Sequence, residues 1–140
     1  MSGARVRRAR LCLLGALLAG GALSTAPAQS EDLSEALRLW KFTFKLEVDA
    51  YGVQYMSEDL LNLAADQLEQ VAGQTYVTNS EMTVCLEASN QLAKYFRAAA
   101  RKSGVDVRRQ IRARYEPARA GCLRLLGADP AKYPLGWPNK

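Results

Sequence analysis

Histidine is absent from the 140 residues. With it go the commonest general base and the commonest imidazole ligand for a transition metal, so neither a Ser/His nor a Cys/His nucleophile system can be assembled. Cysteine is scarce, at three, and no Cys-x-x-Cys-His haem site, zinc spacing or calcium loop is present. Beyond residue 28 the glycines are single and follow helical runs, which excludes a Gly-rich phosphate loop. Paired carboxylates are the acid–base option that remains. Glu31, Asp32, Glu35, Glu58 and Asp59 fall in first turns of helices, where they complement the helix dipole. Asp66 and Glu69 belong to a polar stripe, and nothing in the pattern shelters a carboxyl group as a glycosidase needs. The expectation is a non-catalytic protein with no cofactor and no metal site.

Long apolar runs are equally few. The one that stands out, Leu11 to Leu23, is interrupted by Gly15, Gly20 and Gly21 and falls short of the roughly 20 residues that cross a bilayer. Arg5, Arg7, Arg8 and Arg10 precede it without an acid, and Ala26-Pro27-Ala28 follows it. That three-part order predicts a secretory signal over residues 1–28, cleaved near Ala28. The flanks of Arg7-Arg8 and of Cys12 do not match a twin-arginine or a lipoprotein signal. A mitochondrial presequence and a retained anchor are the rivals. The expected location is periplasmic or secreted, with no transmembrane segment after cleavage.

Loss of the leader removes four arginines from a chain of 19 basic and 14 acidic residues. The basicity of the full chain is then mostly a property of the export tag, and no nucleic-acid partner is expected. Within the remainder the charge is strongly divided. Residues 29–93 carry 11 acids and 3 bases, whereas residues 94–140 carry 3 acids and 12 bases. On a helical wheel Arg108, Arg112 and Arg119 share one edge, and Arg97 and Arg101 make an i, i+4 pair one helix earlier. Two readings stay open. The arginines can pair internally with the acidic half, or they can form a face for an anion, which the two-pronged guanidinium grips well.

Cys85 and Cys122 are the two cysteines of the exported chain, and an even pair in that setting predicts one disulfide. The bridge would close a loop of 37 residues.

Helical periodicity dominates the rest. Ser57 caps a run with Leu60, Leu61, Ala64, Leu68 and Val71 on one face and Glu58, Asn62, Asp66 and Glu69 on another. Thr78-Asn79-Ser80-Glu81 reads as a capping box ahead of Cys85, Leu92, Phe96 and Ala100, with a stop at Gly104. Asp106 is expected to cap a third run through Ile111, Tyr115 and Cys122. Pro117 inside that run implies a kink or a break. Between Trp40 and Ala50 every even position is apolar, which is a strand pattern, yet Leu33, Leu37, Trp40, Phe44 and Val48 also keep helical spacing.

The expected fold is therefore all-α, a small bundle of three to five helices with one disulfide over residues 29–130 and an extended tail over 131–140, pinned by Tyr133 and Trp137. The alternative is α+β, with a short hairpin involving residues 39–49. The expected function is that of an exported interaction protein of the inhibitor, immunity or accessory-subunit type. It would hold an acidic protein partner through Arg97, Arg101, Arg108, Arg112 and Arg119. An anionic lipid or wall polymer is a further possible partner. The alternatives are a carrier or chaperone for an amphiphile, with a groove lined by Trp40, Phe44 and Phe96, and a carboxylate-dependent wall enzyme using Asp66 and Glu69.

Overall fold

A computed structural model of the protein describes residues 31–137. The signal segment expected over residues 1–28, with its expected cleavage point near Ala28, and residues 138–140 lie outside that span. From Asp32 onward the chain forms one compact unit, an all-helical bundle with a single disulfide. Among the described residues four helices and no strand occur: α1 over 31–50, α2 Glu58–Gln74, α3 Thr83–Ala100 and α4 Val105–Leu125. Helix α3 packs against both α2 and α4, and single 3-10 turns sit in the connections at Val53–Tyr55 and Ser80–Met82.

The segment with the strand-like alternation is helical throughout. A strand would bury the even positions alone. The structure instead buries Ala36, Leu39, Trp40, Thr43, Leu46, Glu47 and Ala50, and leaves Val48 about half exposed. The buried set recurs at three and four residues, as a helix buried along a wide stripe requires. Thr43 is accommodated because its hydroxyl donates to the Leu39 carbonyl at 2.8 Å, one turn back.

Helix ends follow local chemistry, with differences from the sequence pattern. The Ser57 side chain accepts from the Leu60 N–H, as a cap should. The Thr78–Glu81 box divides its work. Asn79 caps the 3-10 turn by accepting from Glu81 N–H, and α3 begins only at Thr83. Thr78 is drawn away by Asp32 in the first turn of α1. Its hydroxyl and N–H donate to that carboxylate at 2.8 and 3.2 Å, and Asn79 N–H does so at 2.7 Å. These bonds hold the Asp32 carboxyl below its usual pKa, the Thr78 hydroxyl contributing most. Helix α4 has Gly104 as its N-cap, without a side-chain bond, and Asp106 lies inside the first turn. Pro117 does not divide α4, which runs through it as one element.

Helix α3 ends in a Schellman arrangement. Ser103 N–H donates to Ala98 C=O and Lys102 N–H to Ala99 C=O, which places Lys102 at φ 54°, a left-handed backbone that suits glycine better than lysine. Helix α4 closes the same way, and there Gly127 takes φ 80°.

Two apolar clusters fill the interior. One gathers Leu46, Leu61, Leu68, Leu92, Phe96 and Tyr115. The other surrounds the sulfur bridge with Ala36, Leu39, Trp40, Met82 and Leu123. A fully buried side chain such as Phe96 contributes about 1.5–3 kcal/mol through the hydrophobic effect. Cys85 on α3 and Cys122 on α4 are bonded, with their Cα atoms 4.8 Å apart. Gly121 permits this approach, since a Cβ there would stand 3.0 Å from a Val84 methyl carbon.

Candidate functional site

The acidic and basic halves of the chain meet inside the fold, and two of the five candidate arginines are used there. Arg97 on α3 reaches across to α2. Its Nε and Nη2 donate to Glu69 at 3.0 and 2.9 Å, Nη2 also meets Asp66, and Nη1 touches Asn62 at 3.4 Å. The hydrogen bond from Arg97 holds the Glu69 carboxyl below its ordinary pKa. The stripe on α2 thus finds its counter-charge on α3, not on α4. Asp66 and Glu69, the candidate acid pair, are the partners of a guanidinium.

Arg119 is the clearest departure. Expected on one edge with Arg108 and Arg112, it is 5 % exposed and faces α1. Its Nε and Nη2 bind the two oxygens of Glu47, and Tyr115, one turn earlier on α4, donates its hydroxyl to Glu47 Oε1. Glu47 is wholly buried, and its second oxygen also accepts from Tyr51 at 3.5 Å. Burial and the nearby Glu47 charge both push the Tyr115 phenol well above its ordinary pKa. Burial opposes charge on Arg119, but the Glu47 carboxylate outweighs it and keeps the guanidinium protonated.

The reason for this inward turn is the tail. After the 3-10 turn Pro130–Lys132 the chain folds back, and Arg119 Nη1 donates to the Tyr133 carbonyl at 2.7 Å. Trp137 is then inserted between Tyr95 and Tyr115, its ring centroid 4.5 and 5.1 Å from theirs. Its indole N–H donates to the Glu47 carbonyl at 3.4 Å. The tail covers what would otherwise be the outer edge of α4 at this level.

The remaining candidates lie nearer the start of α4. Arg112 donates to Glu116 at 2.6 Å and stands 5.7 Å from the centre of the Trp137 ring. Arg109, beside it, pairs with Asp106 at 3.1 Å. A shallow hollow of about 290 Å³ lined by Arg109, Arg112, Ala113 and Glu116 therefore has acids already at its cations. The side chain of Arg101, exposed at the C-cap of α3, donates to the Arg97 carbonyl at 3.4 Å.

Arg108 is different. It is partly buried, and its Nε is enclosed with no hydrogen-bond partner among the described residues. It lines two adjoining hollows between the turn after α1 and the turn before α4. One, of about 320 Å³, is walled by Ala50, Tyr51, Val53, Gln54, Tyr95 and Val105. The other, of about 240 Å³, adds Ala99, Lys102 and Ser103. Val53, Gln54 and Arg108 belong to both. No carboxylate is among the described residues that line them. This cleft, with Lys102 in its wall and Arg101 next to it along the chain, is the candidate binding site. Lys102 and Gln54 went unnoticed in the sequence because a turn lysine and an exposed glutamine carry no pattern.

The proposed amphiphile groove is not assembled around its three aromatics. Trp40 and Phe44 meet at a tilt of 37° in the cluster around the disulfide, at 5.8 Å between centroids, while Phe96 belongs to the other apolar cluster. Among the described residues no group of three acids or cysteines is placed to hold a metal ion, and no helix is long and apolar enough to cross a membrane. The disulfide is compatible with an oxidising compartment. Comparison with protein-family models, with curated proteins and with solved structures yields no match.

Proposed function

We propose that the protein is an exported, non-catalytic interaction protein that holds an acidic protein partner at the end of the bundle where α3 turns into α4. One observation carries this reading. Once Arg97 and Arg119 are committed to Glu69 and Glu47, three cations, Arg101, Lys102 and Arg108, collect within eight positions of chain with no acid bound to them among the described residues. Asp106 lies in the same stretch but is engaged by Arg109 at 3.1 Å; like charges with no acid bound to them repel one another, and an anionic partner relieves that repulsion while steering encounter. Arg97 and Arg119 drop out of the contact set, and Arg112 stands at its margin.

The test is affinity purification from the envelope fraction of the producing cell, with wild type and with an Arg101→Glu/Arg108→Glu variant run in parallel. An acidic protein retained by wild type and reduced at least tenfold with the variant, at an unchanged melting temperature, is the expected result. Equal retention by both proteins refutes the proposal. Recovery of a lipid in place of a protein assigns the carrier function instead.

A further inference from the structure

We infer that the solvent-facing side of α1 is a second docking surface, separate from the cleft at the α3–α4 turn, and that it receives an amphipathic helix with an acidic flank from another protein. Helix α1 turns one apolar side inward, with Leu39, Leu46 and Ala50. It carries another outside. Leu33, Leu37 and Val48 are between 40 and 51 % exposed. Apolar side chains exposed singly are ordinary, but these three and the half-buried Phe44 fall within about 60° of the helix surface at 3.6 residues per turn. Tyr133 of the tail, itself exposed, meets Phe44 edge to face at 6.3 Å and widens the stripe there.

The shape and charge of this stripe choose its guest. It has the width of a coiled-coil seam and not the broad apolar face with which a helix lies on a lipid surface. From Leu37 the steps to Lys41, Phe44 and Val48 are four, three and four residues, the rhythm of helices that pair along a seam. Lys41 and Lys45 are exposed on one side of it, and no ion pair engages them among the described residues, whereas Arg38 is taken by Glu35 at 3.0 Å. On the other side Trp40 and Glu47 pack toward Arg119. A guest helix therefore meets cations along one flank, where its own acids pair with them. A second copy fits poorly. The register that matches the apolar positions of two α1 helices, parallel or antiparallel, sets Lys41 against its own counterpart, a like-charge contact. Helix α2 of a second copy offers Leu60 and Leu63 but then exposed Gln67 and Gln70, too short an apolar face for a stripe of about 22 Å.

An NMR titration of the exported chain, with its disulfide intact, tests the surface. The probe is a blocked three-heptad peptide with leucine at the seam positions and glutamate along both flanks. Its twin carries lysine in place of every glutamate, and like charge keeps each peptide from pairing with itself. The glutamate peptide should shift the Leu33, Leu37 and Val48 methyl resonances in a saturable way and bind at least tenfold more tightly than its twin. Lys41→Glu with Lys45→Glu should reverse that preference, a result that misfolding cannot imitate. Leu37→Asn with Val48→Asn should weaken the glutamate peptide at least tenfold at an unchanged melting temperature. Arg101→Glu with Arg108→Glu, which leaves α1 untouched, should bind it as wild type does.

Unmoved methyl resonances, equal affinity for the two peptides, or a preference that survives Lys41→Glu/Lys45→Glu overturns the inference. Loss of the peptide with Arg101→Glu/Arg108→Glu also overturns it, by placing the peptide at the cleft, and leaves the acidic-partner reading standing. Dimerisation in sedimentation that Leu37→Asn/Val48→Asn abolishes assigns the stripe to a second copy instead. Vesicles of phosphatidylcholine and phosphatidylglycerol that move the same methyl groups, with the glutamate peptide inert, assign it to a lipid surface.

Discussion

Glu47 and Arg119, 72 positions apart, form an ion pair enclosed on every side, the carboxylate wholly buried and the guanidinium 5 % exposed. Each oxygen of Glu47 is used, one by Arg119 and Tyr115 and the other by Arg119 and Tyr51. A pair of this kind adds little over a well-packed apolar replacement, but removal of one member strands the other. Glu47→Ala should therefore lower stability by about 3–5 kcal/mol in urea unfolding. Arg119→Met in the Glu47→Ala background should restore much of it. A double variant as unstable as the single one would show that the pair contributes through packing and not through charge.

Trp137 is 4 % exposed although it stands in the tail. Its replacement by alanine empties the space between Tyr95 and Tyr115 and should cost about 3 kcal/mol, the lower end for a buried aromatic. Amide exchange should then quicken from Tyr133 to Leu135 while the centre of α3 stays protected. Uniform quickening across all four helices would mean that the tail and the bundle unfold as one unit.

Asp32 introduces a dependence on acidity. Its carboxyl titrates below the ordinary value of 3.8 in the native state, so the unfolded chain binds this proton at higher pH than the folded one does. Its contribution is complete above pH 3.8 and is lost as pH falls below that toward the lowered native value. Glu69 acts in the same direction through Arg97. Asp32→Asn should flatten the acid limb of a stability–pH curve below pH 4, roughly the unfolded carboxylate value. An acid limb of unchanged steepness would remove Asp32 from this role.

Lys102 occupies a left-handed backbone position, φ 54°, at the rim of the proposed site. Lys102→Gly relieves that conformation and should stabilise the fold by about 0.5–1 kcal/mol while weakening the hold on an acidic partner. Opposite signs for melting temperature and binding are the signature. A fall in both would place Lys102 in the packing of the turn.

The Cys85–Cys122 bridge closes a loop of 37 residues, for which chain entropy gives about 4 kcal/mol. Reduction, or Cys85→Ala with Cys122→Ala, should lower the urea midpoint accordingly. A shift below about 1 kcal/mol would fall outside the usual range of 2–4 kcal/mol.

Helices α2 to α4 were legible in the sequence because their signals are local, a Ser57 cap and a face repeating at three and four residues, and the sulfur bridge because Cys85 and Cys122 are the two cysteines beyond the expected signal segment. Residues 39–49 satisfied two periodicities at once, and only the presence of three neighbouring helices, with no second long strand to pair with, decided between them. Glu47 is one of the polar odd positions between Trp40 and Ala50, and nothing in that pattern marks it as buried. The clue available was its place in the series Leu39, Thr43, Glu47, Ala50, opposite a Tyr115/Arg119 pair one turn apart. Arg119 itself was misplaced because a helical wheel shows the edge a residue occupies but not what covers it. The cover is a tail whose return path depends on contacts almost a hundred positions away.

That return path bears on how the protein comes into being. The ribosome delivers the amino end first, so Glu47 emerges 72 residues before the arginine that neutralises it and 90 before the tryptophan that seals it. Until both arrive, α1 carries a carboxylate that favours water over the interior, which discourages premature collapse around it. A message cut short upstream of codon 119 would release a polypeptide unable to bury its own first helix, a ready target for quality-control proteases.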